Sequence, residues 1–311
     1  MDRNDAATAS KVAAGLVTPV TGKRLVKTWR LDDLLPAADR FYRRAEAECG
    51  GGFFAVRPQL RLFADERERS VYDARKTAEF LGLAADPDPP VDPARFAAPF
   101  GGCQFPTARQ LATDRFLSLS RSRFEVRTAN VDPSTDVDAT EVGVHLPRLG
   151  VTAKTLTFCE GFAAAGNPWF PGVAFNSAKG EILTVRIPDL GETRIVNRGV
   201  WLVPLGGGLF RTGATYDHAA HDCVPTAAAR DEILGRLREF VRPPIEVVAH
   251  DAAVRPIIRV KHPSLGVSPR SPRVGLFNGL ASKGSLAAPF FAEQFAAFLC
   301  GAGDIEPEVR L

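Results

Sequence analysis

RVGLFNGLASKGSLAAPFFAEQFAAFL, residues 273–299, decides the reading of this chain. RVGLFNG (273–279) is a strand, LASKG (280–284) a loop of small residues, and SLAAPFFAEQFAAFL (285–299) a helix. Leu286, Phe290, Phe291, Phe295, Phe298 and Leu299 supply the buried face of that helix. A strand that runs through a glycine-bearing turn into a helix leaves backbone N–H groups pointing outward. The positive end of the helix dipole lies at the same place. That is a physical recipe for holding an anion or a polarised ring edge. Plain α/β packing produces the same pattern, so these residues alone leave both readings open.

Upstream, the chain reads as an antiparallel sheet. ILTVRI (182–187), IVNRG (195–199), VWLVPL (200–205) and LFRTGATY (209–216) are short strands joined by glycine turns. IEVVAHDAAV (245–254) is the last strand of the set. One helix, 226–241, interrupts, with Ile233, Leu234, Leu237 and Phe240 as its stripe, Thr226 as N-cap and Pro243 past its end. KTLTFC (154–159) is a strand that runs straight into Glu160 and Gly161.

The N-terminal half is predicted to be more helical. Leu31, Leu34, Leu35, Ala38, Phe41, Tyr42 and Ala45 recur at helical spacing over 31–48, and Gly50, Gly51 and Gly52 stop the helix. A second helix, 66–82, places Val71, Ala74, Ala78 and Leu81 on one face. Residues 84–107 are rich in Pro, Asp and Gly and read as an exposed connection, followed by a short helix at Thr113 to Ser120.

Composition narrows the class. With 311 residues, about two domains are expected at roughly 150 residues each. The apolar fraction of 45% and charged fraction of 24% supply a substantial core and exclude global disorder. A net charge of +3, spread along the chain, argues against a nucleic-acid binder. No apolar run reaches the roughly 18 residues of a membrane span, and the opening MDRNDAATAS has no signal-peptide character, so cytoplasm is the expectation. Five scattered cysteines without a CxxC fit a reduced compartment.

At four stretches the chain resembles the D-amino-acid-oxidase-like superfamily of FAD-dependent oxidoreductases, which includes glycine oxidase and sarcosine oxidase. They are Asp2 with SKVAAG (10–15), FCEGFAAAGNPWF (158–170) with KGEIL (179–183), VPLGGGLFRTGATY (203–216), and VRP (254–256) with HPSLG (262–266) and FNGLASKGSLAAP (277–289). The resemblance implies an α/β fold in which a Rossmann-like FAD-binding domain interleaves with an antiparallel substrate domain. The first would comprise 1–60, 108–175 and 255–311, the second 61–107 and 176–254. It implies FAD as cofactor, a small amine or amino acid as substrate, and oxygen or another acceptor for reoxidation. It also admits the glycine-like arm of a modified tRNA uridine as substrate, although the charge balance disfavours nucleic acid.

The resemblance assigns residues as well. Asp2 would face the ribose hydroxyls, and Ser10, Ala13, Ala14 and Gly15 would line the pyrophosphate and flavin. Glu160 and Gly161 would close over the cofactor. Gly279, Ser282, Lys283 and Gly284 would set N–H groups against the N1/C2=O edge, where reduction places negative charge. Arg255 would hold a substrate carboxylate, with Arg211 and Arg259 as weaker candidates. Val260 stands where many relatives carry an Asp. Hydride would pass from the carbon beside nitrogen to flavin N5, and water would hydrolyse the resulting imine.

One departure is large. The family opens with a strand, GxGxxG and a helix, and this sequence contains no GxGxxG; GGG at 50–52 and at 206–208 has the wrong spacing. The reading therefore expects a reading frame started about 30 residues late, poor FAD affinity, a gap or bare edge in the sheet, and aggregation on expression. A chain that holds no FAD and is not an enzyme is the rival. Among the remaining residues, His218, His221 and Asp222 read as a solvated turn rather than a metal site. His250 and His262 stand alone. Cys159 reads as a buried structural thiol, and Trp169 and Tyr216 as core aromatics.

Overall fold

The computed structural model describes residues 1–260 and 262–311. The first part carries helix α1 (Ala9–Val12), strands β1 (Leu16–Val17), β2 (Val20–Thr21) and β3 (Val26–Lys27), and the long helix α2 (Leu31–Cys49). Then come β4 (Phe54–Val56), β5 (Gln59–Leu62), α3 (Glu66–Arg75), β6 (Gly102–Phe105), β7 (Arg109–Leu111) and α4 (Thr113–Arg121). Four short strands follow: β8 (Asp138–Ala139), β9 (Val144–Leu146), β10 (Val151–Ala153) and β11 (Leu156–Phe158). The longer strands are β12 (Ala178–Arg186), β13 (Ile195–Arg198), β14 (Val200–Gly206) and β15 (Leu209–Gly213). Helix α5 (Ala227–Arg238), β16 (Glu246–Arg255), β17 (Ser264–Ser268), β18 (Ser271–Asn278) and α6 (Gly284–Leu299) complete the fold.

A seven-stranded sheet, in the order β16-β12-β15-β14-β13-β5-β6, dominates. All its pairings are antiparallel except β13 with β5. One face carries Leu183, Val185, Leu202 and Phe210 against Ile233, Leu237 and Phe240 from α5 and its C-terminal turn. At about 1.5–3 kcal/mol per fully buried large side chain, this stripe fixes α5 to the sheet. Thr226 caps α5 as expected, its hydroxyl accepting from Ala229 N–H.

The second unit is smaller. β11 pairs in parallel with β18, and β18 pairs antiparallel with β17. Helix α6 lies on β18 closely enough that a Cβ at Gly275 would stand 2.9 Å from Phe295 Cζ. α6 also packs on α2 through Leu286, Phe291 and Phe295 against Leu31, Leu34 and Tyr42. Parallel strand–turn–helix and antiparallel sheet are thus interleaved along one chain. β11 has no neighbour on its other edge among the described residues.

Four expectations need correction. Residues 102–105 are not exposed connection but a strand of the large sheet, with Cys103 and Phe105 buried. The helix expected to reach residue 82 ends at Arg75. Phe80 is buried beyond that end, while Leu81 is 79% exposed. Phe41 lies on the outer side of α2, exposed, although its spacing placed it in the stripe. β5 is only four residues long, so the alternation of QLRL does not stand out, and the structure buries Gln59 and Arg61 as well as Leu60 and Leu62. No helix among the described residues is long and apolar enough to cross a membrane.

Candidate functional site

The C-terminal ends of β11 and β18 point the same way, as parallel strands must, and both open into glycine turns. After β11 come Glu160 and Gly161, which begin a 3-10 turn (Gly161–Gly166). After β18 comes Gly279. Gly161 has φ +57° and Gly279 φ +78°, conformations that favour glycine. A Cβ at Gly279 would also overlap the side chain of Ile258.

Asn278 ties the two turns together. Its Nδ2 donates to the Gly161 carbonyl at 2.9 Å, and its Oδ1 accepts from Gly279 N–H at 2.7 Å. The side chain is buried. Sequence reasoning passed over it, since an Asn before a Gly reads as a turn residue.

Beyond Gly279, helix α6 begins without a side-chain cap. The N–H groups of Gly284 and Ser285 have no acceptor among the described residues. Lys283 sits at this start with its Nζ 3.4 Å from Thr28 Oγ1, and Thr28 in turn donates to the Thr18 carbonyl. Burial pushes the Lys283 ammonium down to about 8. At neutral pH it still carries its charge.

The large sheet turns its other face toward Ala13–Leu16. Trp201, Val203 and Ile195 pack with Ala14 and Leu16. Arg211 Nη1 donates to the Ala13 carbonyl at 3.0 Å, and Thr113 Oγ1 donates to the same oxygen at 2.9 Å. Gly15, φ +68°, gives its carbonyl to Leu111 N–H, and a Cβ there would overlap the Leu111 carbonyl.

Arg255 ends β16 opposite Ala178. Its Nη1 donates to the Thr215 carbonyl at 3.1 Å, and its guanidinium carbon lies 4.2 Å from the centre of the Tyr216 ring. It makes no ion pair among the described residues. Burial disfavours its charged form. The guanidinium fits only because residue 180 is glycine: a Cβ there would overlap it. Three residues on, Ile258 touches Gly279, which links the arginine to the helix start.

The expected residues therefore divide. Gly161 and Gly279 are tied through Asn278, Arg255 lies three residues before the Ile258 that meets Gly279, and Lys283 and Gly284 follow in the turn, whereas the contacts of Ala13, Ala14 and Gly15 run to Arg211, Thr113, Leu111 and the large sheet. Glu160 is next to Gly161, its carboxylate accepting from Asn167 Nδ2 at 2.9 Å, and burial raises its pKa. Ser10 and Ser282 are exposed. Asp2 stands apart: its carboxylate accepts from Arg121 and, at 2.8 Å, from Asn4 N–H. The hydrogen bond from Asn4 comes first among the causes that lower its pKa.

The remaining candidates are accounted for locally. Tyr216 is 57% exposed rather than core, and Cys159 is exposed rather than buried. Trp169 is a core aromatic, donating to the Pro133 carbonyl. His262 stacks on Trp29 with ring centres 4.3 Å apart, and Val260 is exposed. His218 meets the Ser177 carbonyl, His221 lies on Phe162, and Asp222 accepts from Lys179 at 2.6 Å. No group of three or more His, Cys, Asp or Glu could hold a metal among the described residues.

For FAD the donor set gives a divided answer. The uncapped start of α6, with free N–H groups and a half-buried cation, fits the electron-rich edge of an isoalloxazine. The other end does not fit. The one carboxylate expected at the ribose is already engaged, and no glycine-rich strand–turn–helix stands beside it among the described residues.

The family model described as FAD dependent oxidoreductase (DAO) matches residues 1–298. Among solved structures, a glycine oxidase from Bacillus cereus superimposes with a TM-score of 0.81 at 15% identity, covering 99% of this chain and 91% of that one. A glycine oxidase from Geobacillus kaustophilus gives 0.77 at 19% identity, covering 96% and 86%. An iminodiacetate oxidase from a Chelativorans species gives 0.74 at 18%, covering 98% and 89%.

Proposed function

The chain belongs to this family of FAD-dependent oxidoreductases, and we propose that it oxidises a C–N bond in a small amino acid or N-substituted amino acid. The observation that carries the substrate class is Arg255. A half-buried guanidinium held by one carbonyl and one aromatic face, without a carboxylate partner among the described residues, is suited to seat a substrate carboxylate. The names of the superimposed oxidases agree with that chemistry.

FAD, when bound, supplies the two-electron acceptor. The chain's own residues bind and orient. The N–H groups of Gly284 and Ser285, with those of the turn at Gly279, would face the ring edge, and the Lys283 charge would add to their positive field. Arg255 would take the acid group, and Tyr216 would shield that pair from water. The amine binds neutral, so no side-chain base is required. The cofactor side would comprise 1–60, 108–175 and 255–311, and the substrate side 61–107 and 176–254. β5 straddles that first boundary.

The test is anaerobic bleaching of protein-bound flavin by glycine, sarcosine and D-amino acids, each beside its amide. Bleaching by the free acids and not by the amides is expected. Equal bleaching by both would remove Arg255 from the substrate site, and no bleaching by any amine would remove C–N oxidation.

A further inference from the structure

We propose that Lys179 is a positioning residue for the substrate site: from the far face of the large sheet it latches residues 216–224, a strap that runs from the Arg255 anchor to the turn after β11. The proposal rests on the reading of Arg255 as the seat of a substrate carboxylate.

Strand β12 sends successive side chains to opposite faces of the sheet. A Cβ at Gly180 would point at the Arg255 guanidinium, so Lys179 and Glu181 point to the other face, the one that carries α5, and both are buried. The Glu181 carboxylate accepts from Thr226 N–H at 2.8 Å and from Thr226 Oγ1 at 2.9 Å, at the start of α5. Lys179 Nζ donates to Asp222 Oδ1 at 2.6 Å and to the Val224 carbonyl. An apolar side chain would fill that place at less cost, since a buried ammonium gives up its hydration. What the charge adds is a directed hold on Asp222 and Val224. Asp222, Cys223 and Val224 are all exposed, so burial does little to root this stretch.

The other end of the strap is pinned by backbone. Lys179 N–H donates to the Asp217 carbonyl at 2.8 Å, Asp217 N–H to the Lys179 carbonyl at 3.0 Å, and Glu181 N–H to Thr215 Oγ1 at 3.0 Å. Between the two pins the strap meets its surroundings at three places. Tyr216 lies against the Arg255 guanidinium. His218 Nδ1 stands 3.1 Å from the Ser177 carbonyl, one residue before the Ala178 that pairs with Arg255. His221 lies on Phe162, ring centres 5.1 Å apart, in the 3-10 turn that follows Glu160. The strap thus links the carboxylate anchor to the cofactor-side turn, and Lys179 holds its far end. A strap held there limits water at Arg255, and an ion pair with less water around it is stronger and less screened by salt.

The experiment compares the 311-residue chain with Lys179→Met, which keeps the volume and drops the charge, and with Asp222→Ala, which removes the exposed partner. Three quantities are read: calorimetric affinity for glycolate and for glycolamide, its dependence on salt, and amide exchange over 219–224. In Lys179→Met, exchange should be roughly 10-fold faster or more at those amides. Glycolate affinity should fall by roughly 5–20-fold and decline more steeply with salt. In flavin-loaded protein KM should rise with kcat little changed. The double variant should bind no more weakly than Lys179→Met alone, because the pair acts as one unit. A role in stability alone would lower the urea midpoint and leave affinity, salt dependence and KM where they were, and that result would overturn the proposal. Unchanged exchange, or losses that add in the double variant, would overturn the latch. Glycolate that binds the unsubstituted chain no more tightly than glycolamide would overturn the carboxylate reading itself, and the role of Lys179 with it. Where Lys179→Met fails to fold, Asp222→Ala, altered at an exposed side chain, carries the same expectations, and failure to meet them counts against the latch.

Discussion

Replacing Gly180 by alanine tests the anchor role of Arg255 without altering Arg255. Gly180 lies inside β12 with ordinary strand backbone, so the methyl group is conformationally welcome and removes a glycine penalty of ~0.5–1 kcal/mol. The new Cβ, however, would overlap the Arg255 guanidinium. Carbon contacts settle near ~3.5–4.0 Å, so the guanidinium has to withdraw by more than about 1 Å. That shift breaks the 3.1 Å bond to the Thr215 carbonyl and lifts the cation from its place 4.2 Å over Tyr216. Losing well-placed hydrogen bonds to a carboxylate costs about 1.5–3 kcal/mol, or roughly 10–150-fold in affinity. Thermal denaturation with and without a small carboxylate such as glycolate reads this directly. At a hundred times Kd the ligand stabilises the wild-type protein by about 2.7 kcal/mol. A variant with ten- to a hundredfold weaker binding retains about 1.4 to 0.4 kcal/mol. In flavin-loaded protein, KM should rise by the same factor with kcat less affected. Full ligand stabilisation in a folded Gly180→Ala variant would refute the placement of the carboxylate at Arg255.

Three further outcomes follow from the contacts. Asn278→Leu removes both bonds that tie Gly161 to Gly279 and should cost about 2 kcal/mol in urea unfolding, with faster amide exchange in both turns. Gly15→Ala meets the Leu111 carbonyl and a positive φ together and should cost about 3 kcal/mol or more, loosening β1 from β7. Lys283→Met should change the pH profile of stability. The folded-state pKa of Lys283 is near 8 against an ordinary 10.5, so between those values the unfolded chain holds a proton that the folded chain has released. This lysine therefore makes wild-type stability rise with pH across that window. The variant should lack the rise and be the more stable protein at pH 7, as urea midpoints at pH 7 and pH 10 will show.

Elements whose apolar period was strong were legible in the sequence. α2 and α6 fall within one residue of their expected bounds and α5 ends three residues before its own, because each has a stripe that must face a core. What failed was structure set by distant partners. β5 and β6 join the large sheet through pairings with β13 and with each other, and nothing local in QLRL or GCQF announces that. Pro, Asp and Gly around residues 84–101 masked β6 further. α3 stops early although Ala78 and Leu81 continue its period, since Phe80 claims the core instead. Tyr216 looked like core and is half outside, its face given to Arg255.

The candidate site divides along the same line. The side proposed to face the ring is made of backbone: glycine turns at two strand ends and the bare start of a helix, features written in short stretches of sequence. Gly180 lies before the strand expected at 182–187, so its close approach to the guanidinium of Arg255 was not legible. Nor was the role of Asn278, which depends on Gly161 arriving beside it from another strand. The phosphate side of an FAD site is different in kind. It needs a glycine-rich turn between a strand and a helix, and none stands beside Asp2 among the described residues. The bare start of α6 and the guanidinium of Arg255 can therefore be tested one by one, by substitution at Lys283 and Gly180, without reference to that grip.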